Sequence, residues 1–257
     1  PQDRLVQAIN GHLLVALGVD QKILPASVVN QVTKERAEQI ATEQGYPVGR
    51  RQMRELKERV ADELRTRAFS RRSSTCAWLD PQNKLLVVDA AAPAKAEELV
   101  ATLRDTVPNF GAILLETEKS PAVSMSAWLM FGDAPGHFNI EQDLELQSVK
   151  DEKSIVRYVR HPLEGKEVQK HISSGKAPTK LGMSWNGRIA FILTSEFQIK
   201  RLQFLDIVKD RSEGQAQAAE EQFEIDFALM TGELSNLLQE LVEQLGGDVK
   251  TGAQAAA

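Results

Sequence analysis

Two kinds of side chain in this sequence could act on a phosphate polymer: carboxylates at strand ends, and a dense set of arginines and lysines. Asp89 closes the apolar run KLLVVD, while Glu116, Glu118 and Lys119 follow the run GAILLE. Carboxylates at two strand ends with a lysine beside them could hold Mg²⁺ and support metal-assisted phosphodiester hydrolysis. Their spacing matches no nuclease motif, and acidic residues at strand ends are common in ordinary loops.

Other chemistries find less support. There is no G-x-x-x-x-G-K-S/T cradle; the nearest fragment, Ser174-Gly175-Lys176, lacks the upstream glycine and the hydroxyl after lysine. No G-x-G-x-x-G turn is present either. His12, His137, His161 and His171 are scattered, none at zinc-ligand spacing from a Cys or carboxylate partner. A Ser-His-Asp set stays open, although no G-x-S-x-G elbow supports one. The single cysteine, Cys76, lies between Thr75 and Ala77-Trp78 and reads as a buried strand position. No catalytic residue, metal or cofactor is expected outside the hydrolytic alternative built on Asp89, Glu116 and Glu118.

The cations carry more information. In RRQMRELKERVADELRTRAFSRR, Arg50, Arg51, Arg54, Lys57, Arg59, Arg65, Arg67, Arg71 and Arg72 are answered only by Glu55, Glu58, Asp62 and Glu63, in a chain whose formal net charge is −5. A second window holds Lys153, Arg157, Arg160, His161, Lys166, Lys170, His171, Lys176, Lys180 and Arg188 against Glu164 and Glu167. From Ser212 to Val249 there is no Lys or Arg while Glu and Asp accumulate. Base gathered in two places and acid in a third describe a polarised molecule with a phosphate-facing surface. The competing reading of the first stretch is a solvated helix, with Glu55 paired to Arg59 and Glu58 opposing Asp62.

The elements that must position these residues follow from periodicity. Met53, Leu56, Val60 and Leu64 recur at three and four, which predicts an amphipathic helix to about Arg67. Before it, a helix from about Ala26 to Gln44 ends at Gly45, so the two form a helical arm. Asn10-Gly11 predicts a hairpin turn within Arg4–Val19, as does Asn186-Gly187 within Lys180–Leu193. SSTCAWLD and KLLVVDAA flank another hairpin; Ala94–Arg104 reads as a helix, Gly111–Glu116 as a strand, and Ala122–Met130 as a short helix. Strands are expected over Asp143–Val149, Ser154–Val159 and Phe197–Leu205, with a helix over Leu163–Ser173. Phe223, Phe227, Met230, Leu234, Leu237, Leu241 and Leu245 mark a long acidic helix capped by Gly246-Gly247.

The fold class is therefore α+β. Residues 1–131 form an N-terminal α+β region with the arm at about 26–67. Residues 137–210 form a second α+β region with a basic tip, and residues 213–247 a helical region packing on the others. At 257 residues and 42% hydrophobic, the chain can bury a sizeable core. No apolar run reaches membrane length and no signal peptide opens the sequence, so a cytoplasmic setting is expected. The chain opens on Pro1, and further sequence upstream is expected.

QKILPASVV (21–29), RAFSRR (67–72), CAWLD (76–80), PTKLGMSWNGRIAF (178–191) and FEIDFALMTGELSNLLQELVEQLGG (223–247) resemble the RdgC family of bacterial recombination-associated proteins. The resemblance runs from about Ile9 to Gly247, without the family's N-terminal segment. It implies a nucleoid-associated, sequence-independent DNA-binding protein that restrains RecA. It further implies a crescent-shaped subunit meeting its copy at two places, a ring-shaped homodimer with duplex DNA in a basic hole. Binding to single strands as well as duplex is expected, and RecA is a functional antagonist.

On this reading Arg50, Arg51, Arg54, Lys57, Arg65, Arg67, Arg71 and Arg72 face DNA from the arm. Arg157, Arg160, His161, Lys166 and Lys170 do so from a finger that ends at Pro162, with a helix opening near Leu163. Phe69, an aromatic between Arg67 and Arg71, is assigned to a subunit contact, because a closing ring needs an apolar anchor.

Overall fold

The computed structural model describes residues 5–151, 154–205 and 219–249. Contacts divide the chain into two compact units. Leu14–Leu79 and Leu86–Phe110 make up the body of the first. The chain from Gly111 makes up the second, which also takes in the hairpin turns Ala8–Leu13 and Asp80–Leu85.

The first sheet is a meander in the order β1-β2-β3-β4, with β1 at Gln7–Ile9, β2 at His12–Lys22, β3 at Ser70–Asp80 and β4 at Leu85–Asp89. Asn10 and Gly11 take φ of 47° and 82°, the left-handed pair that a two-residue hairpin requires. The β3–β4 turn is held by Asp80, whose carboxylate accepts from the backbone N–H of Gln82 and Asn83 at 3.1 Å and from Asn83 Nδ2 at 2.7 Å.

Between β2 and β3 the chain makes the arm, α1 (Ala26–Gln44) and α2 (Arg50–Arg67). Val29 and Ala37 of α1 meet Leu56 and Val60 of α2, with Leu24, Val32, Ile40, Val48, Ala61 and Leu64 packed around them. Each buried Leu or Val here contributes about 1.5–3 kcal/mol. Arg36 reaches Glu63 at 2.7 Å, cross-linking the helices. Helix α3 (Pro93–Thr106) starts on Pro93, where the missing N–H costs nothing, and buries Leu99.

In the second unit, α4 (Pro121–Phe131) is capped by Ser120, whose Oγ accepts from Val123 N–H at 3.4 Å, and it stops at Gly132 with φ 74°. A five-stranded antiparallel sheet follows in the order β6-β5-β7-β8-β9. Its strands are β5 (Phe138–Ser148), β6 (Ile155–Tyr158), β7 (Lys176–Trp185), β8 (Ile189–Thr194) and β9 (Ile199–Phe204). Register places Tyr158, Leu144, Leu181, Leu193 and Ile199 in one cross-strand row, and the three leucines are buried. Helix α5 covers Lys166–Ser173, and α6 covers Ala219–Gln244. Phe227, Leu234, Leu237, Leu241 and Leu245 form the buried seam, and Gly246 and Gly247 end it at φ 91° and 94°. Among the described residues no helix is long and apolar enough to cross a membrane.

Three expectations are corrected. Residues 111–116 form no strand: Ile113 and Leu114 are exposed, and the backbone groups just beyond are engaged with the end of α6. Val249 N–H donates to Glu116 O, Glu118 N–H to Gly247 O, and Thr117 bridges Asp248. Cys76 is exposed, because strand alternation turns its neighbours Thr75 and Ala77 inward and leaves the thiol on the open face. Helix α5 opens at Lys166 rather than Leu163. Pro162 biases the preceding backbone away from helix and Gly165 is extended at ψ 148°, while Leu163 is buried from the loop.

Candidate nucleic-acid interface

Helix α2 buries Leu56 and Val60, so its opposite face is left to polar residues. Arg50, Arg54, Lys57 and Arg65 recur at steps of four, three and eight; at 100° and 1.5 Å per residue they fall within an arc of about 80° and a length of about 22 Å. All four are exposed. Arg54 pairs with Glu58 at 3.6 Å and Arg65 with Asp62 at 2.8 Å, whereas Arg50 and Lys57 have no ion pair among the described residues. Arg51, beside the stripe, reaches Glu55 at 3.0 Å. Glu55 therefore serves Arg51 rather than Arg59, and Glu58 and Asp62 each have a cation instead of opposing one another.

Beyond the helix, Arg67 is exposed at its end, and Arg71 and Arg72 lie on β3. Arg72 makes a two-pronged pair with Asp20 on β2, Nε to Oδ1 at 2.9 Å and Nη2 to Oδ2 at 3.1 Å. This guanidinium holds the Asp20 carboxyl below its usual range. Phe69 is 86% exposed, while its carbonyl accepts from Ile23 N–H at 2.8 Å, so the backbone is fixed and the ring is presented outward.

The second patch is only partly free. Register sets Arg157, Glu145 and Lys180 side by side across three strands. Arg157 Nε donates to Glu145 Oε2 at 2.7 Å, and Lys180 Nζ and Thr179 Oγ1 donate to Oε1 at 3.0 and 2.9 Å. Burial opposes the charged form of Glu145, but these donors outweigh it and bring the carboxyl to about 2. Arg188 is committed to Glu233 at 2.8 Å. Strand β6 stops at Tyr158, and the following bend folds back on β5: Arg160 N–H donates to Asp143 Oδ1 at 3.2 Å and His161 N–H to Gln142 O at 3.1 Å. Arg160 holds φ 51°, a left-handed conformation unusual for a long side chain. Its side chain, with Lys166 and Lys170, is exposed and has no ion pair among the described residues. Lys153 lies outside the described residues. Lys200 and Arg201 of β9 are exposed on the opposite edge strand, and their only signal in the sequence is the adjacent Lys-Arg in a strand-like run.

The carboxylates do not gather. Glu116 and Glu118 lend backbone groups to the end of α6, Asp89 ends β4, and among the described residues no three His, Cys, Asp or Glu are grouped to hold a metal ion. A Ser, a His and an Asp do meet. Ser235 Oγ donates to Asp80 Oδ2 at 2.8 Å, and His12 Nε2 lies 3.4 Å from Ser235 Oγ and 3.6 Å from Asp80 Oδ2. Nucleophilic activation needs the serine on one imidazole nitrogen and the carboxylate on the other. Here both approach Nε2, and the serine proton goes to the carboxylate, so the cluster is structural.

The family model described as "Putative exonuclease, RdgC" matches residues 1–248. The chain belongs to the RdgC family. Among its RdgC relatives, a "Recombination-associated protein RdgC" of Dechloromonas aromatica (strain RCB) is 50% identical over 248 residues, covering 95% of this chain and 82% of that protein. Proteins of the same name from Cupriavidus necator and Herminiimonas arsenicoxydans are 45% and 46% identical over 252 and 244 residues. Those alignments cover 97% and 95% of this chain, and 84% and 81% of the relatives. The RdgC relatives' names carry recombination and no enzymatic activity; the exonuclease wording stands in the family description alone.

Proposed function

We propose that this RdgC-family chain is a sequence-independent DNA-binding protein. It closes as a ring-shaped homodimer around duplex DNA, accepts single strands as well, and restrains RecA-driven recombination on the nucleoid without chemistry of its own. The observation that carries this reading is the α2 stripe, Arg50, Arg54, Lys57 and Arg65 on one exposed helix face of a chain with net charge −5. Aligned forked donors and an ammonium suit a row of phosphates, and carry no information about base sequence. Arg51, Arg67, Arg71 and Arg72 extend that surface, and Arg160, His161, Lys166 and Lys170, with Arg157 once released from Glu145, supply a second one. Acid elsewhere on the chain keeps other faces off the polyanion. Phe69, outward and apolar, fits a closing contact with a second copy. A protein wrapped on DNA denies that length to RecA, which accounts for restraint without direct contact.

Labelled duplex incubated with the purified protein and Mg²⁺ tests the reading. A shifted band with full-length DNA supports it. Shortened DNA, lost again in Asp89→Ala or Glu118→Ala, would favour the hydrolytic alternative.

A further inference from the structure

The turn that joins the two helices of the arm presents an exposed aromatic ring, which among the described residues packs on no other ring. Gly45 ends α1 in a left-handed conformation at φ 79°, its N–H donating to Ala41 O at 2.9 Å, and Gln44 Nε2 donates to the carbonyl of Tyr46 at 2.9 Å. Val48 turns inward and packs on the arm's core, and Met53 N–H to Gly49 O at 2.8 Å begins α2. The backbone is thus pinned on both sides of Tyr46, while its side chain stands 63% exposed, with no ring contact or hydroxyl partner among the described residues. Tyr46, with Ala41, Thr42, Gly45 and Pro47, lines an open recess of about 370 Å³, so one side of the ring forms its wall. Four residues further on begins the cationic stripe, with Arg50 exposed and in no ion pair among the described residues.

A large apolar ring held out on a rigid turn loses little conformational freedom when it is covered, and every nucleobase offers a face to cover it. Bases inside a duplex are stacked on one another and present only their edges. The ring therefore finds a partner where a base is unpaired, at an overhang, a gap or a single strand. We infer that the arm tip is a stacking site for an unpaired nucleobase, with Tyr46 as its platform. This rests on the reading that α2 faces DNA, which places the tip next to the phosphates the stripe engages.

Two probes separate this inference from the DNA-binding reading itself: a blunt duplex, and the same duplex with a short single-stranded overhang carrying 2-aminopurine. Wild-type protein is expected to quench the overhang fluorophore and to hold the overhang substrate about tenfold more tightly than Tyr46→Ala does, the scale of one lost base–aromatic stack. Tyr46→Phe should retain both effects, and all three proteins should bind the blunt duplex equally. Quenching and overhang affinity unchanged in Tyr46→Ala would overturn the stacking site and leave duplex binding standing. Failure of wild-type protein to bind either substrate would overturn both.

Discussion

Arg157 is tied to Glu145 by a 2.7 Å hydrogen bond from Nε to Oε2, and Lys180 holds the other oxygen of the same carboxylate at 3.0 Å. One acidic side chain thereby neutralises two cations of the second basic patch. Glu145→Gln keeps the shape and removes the charge, so it should release both cations to phosphate. Duplex affinity should rise, and the salt dependence of binding should steepen by about one to two phosphate contacts. Unchanged affinity and salt slope in this variant, measured by fluorescence anisotropy, would put Arg157 and Lys180 off the DNA surface.

The same cluster sets a pH dependence. The Glu145 carboxyl is lowered from 4.5 to about 2, so its contribution to stability is full above about pH 4.5 and is lost as pH falls through about 2. Glu145→Gln should cost about 1–3 kcal/mol in urea unfolding at pH 7, and its difference from wild type should shrink steadily between pH 4.5 and 2. A constant difference across that range would show that the loss comes from packing.

Phe69→Ala removes a ring that makes little intramolecular contact, so melting temperature should stay within about 2 °C of wild type, as for surface substitutions. Sedimentation equilibrium should show a weaker dimer. Unchanged dimer affinity together with unchanged DNA binding would reduce Phe69 to an ordinary surface residue.

Arg160→Ala with His161→Ala leaves the backbone bonds to Asp143 and Gln142 in place and removes two exposed side chains. Duplex binding should weaken by about 1–3 kcal/mol if both make charge-assisted contacts. The dimer should be untouched. Wild-type affinity in the double variant at low and moderate salt would remove this bend from the interface.

What the sequence made legible were features with local causes. Asn10-Gly11 and Asn186-Gly187 sit at positive φ because tight hairpins demand it, and α2 ends at Arg67 as its apolar spacing predicts. The stripe of Arg50, Arg54, Lys57 and Arg65 is likewise a matter of helical angle. The neutralisation of Arg157 by Glu145 and of Arg72 by Asp20 was not legible, because the partners come from neighbouring strands whose register depends on the whole sheet. AILL at residues 112–115 carries strand propensity but forms no strand, since the backbone around Glu116 and Glu118 is bonded to the end of α6. Cys76 is exposed despite its apolar neighbours, because those neighbours say nothing about which face of a strand a residue occupies.

The most direct test of the account is the salt dependence of binding to two unrelated duplex sequences, for wild type and for Arg50→Ala/Arg54→Ala/Lys57→Ala. Each phosphate contact steepens the fall of log K with log salt by about 0.9. Equal slopes are expected for the two sequences, with a slope shallower by about two to three units in the triple variant. An unchanged slope in that variant, or affinity that follows the base sequence, would contradict the account.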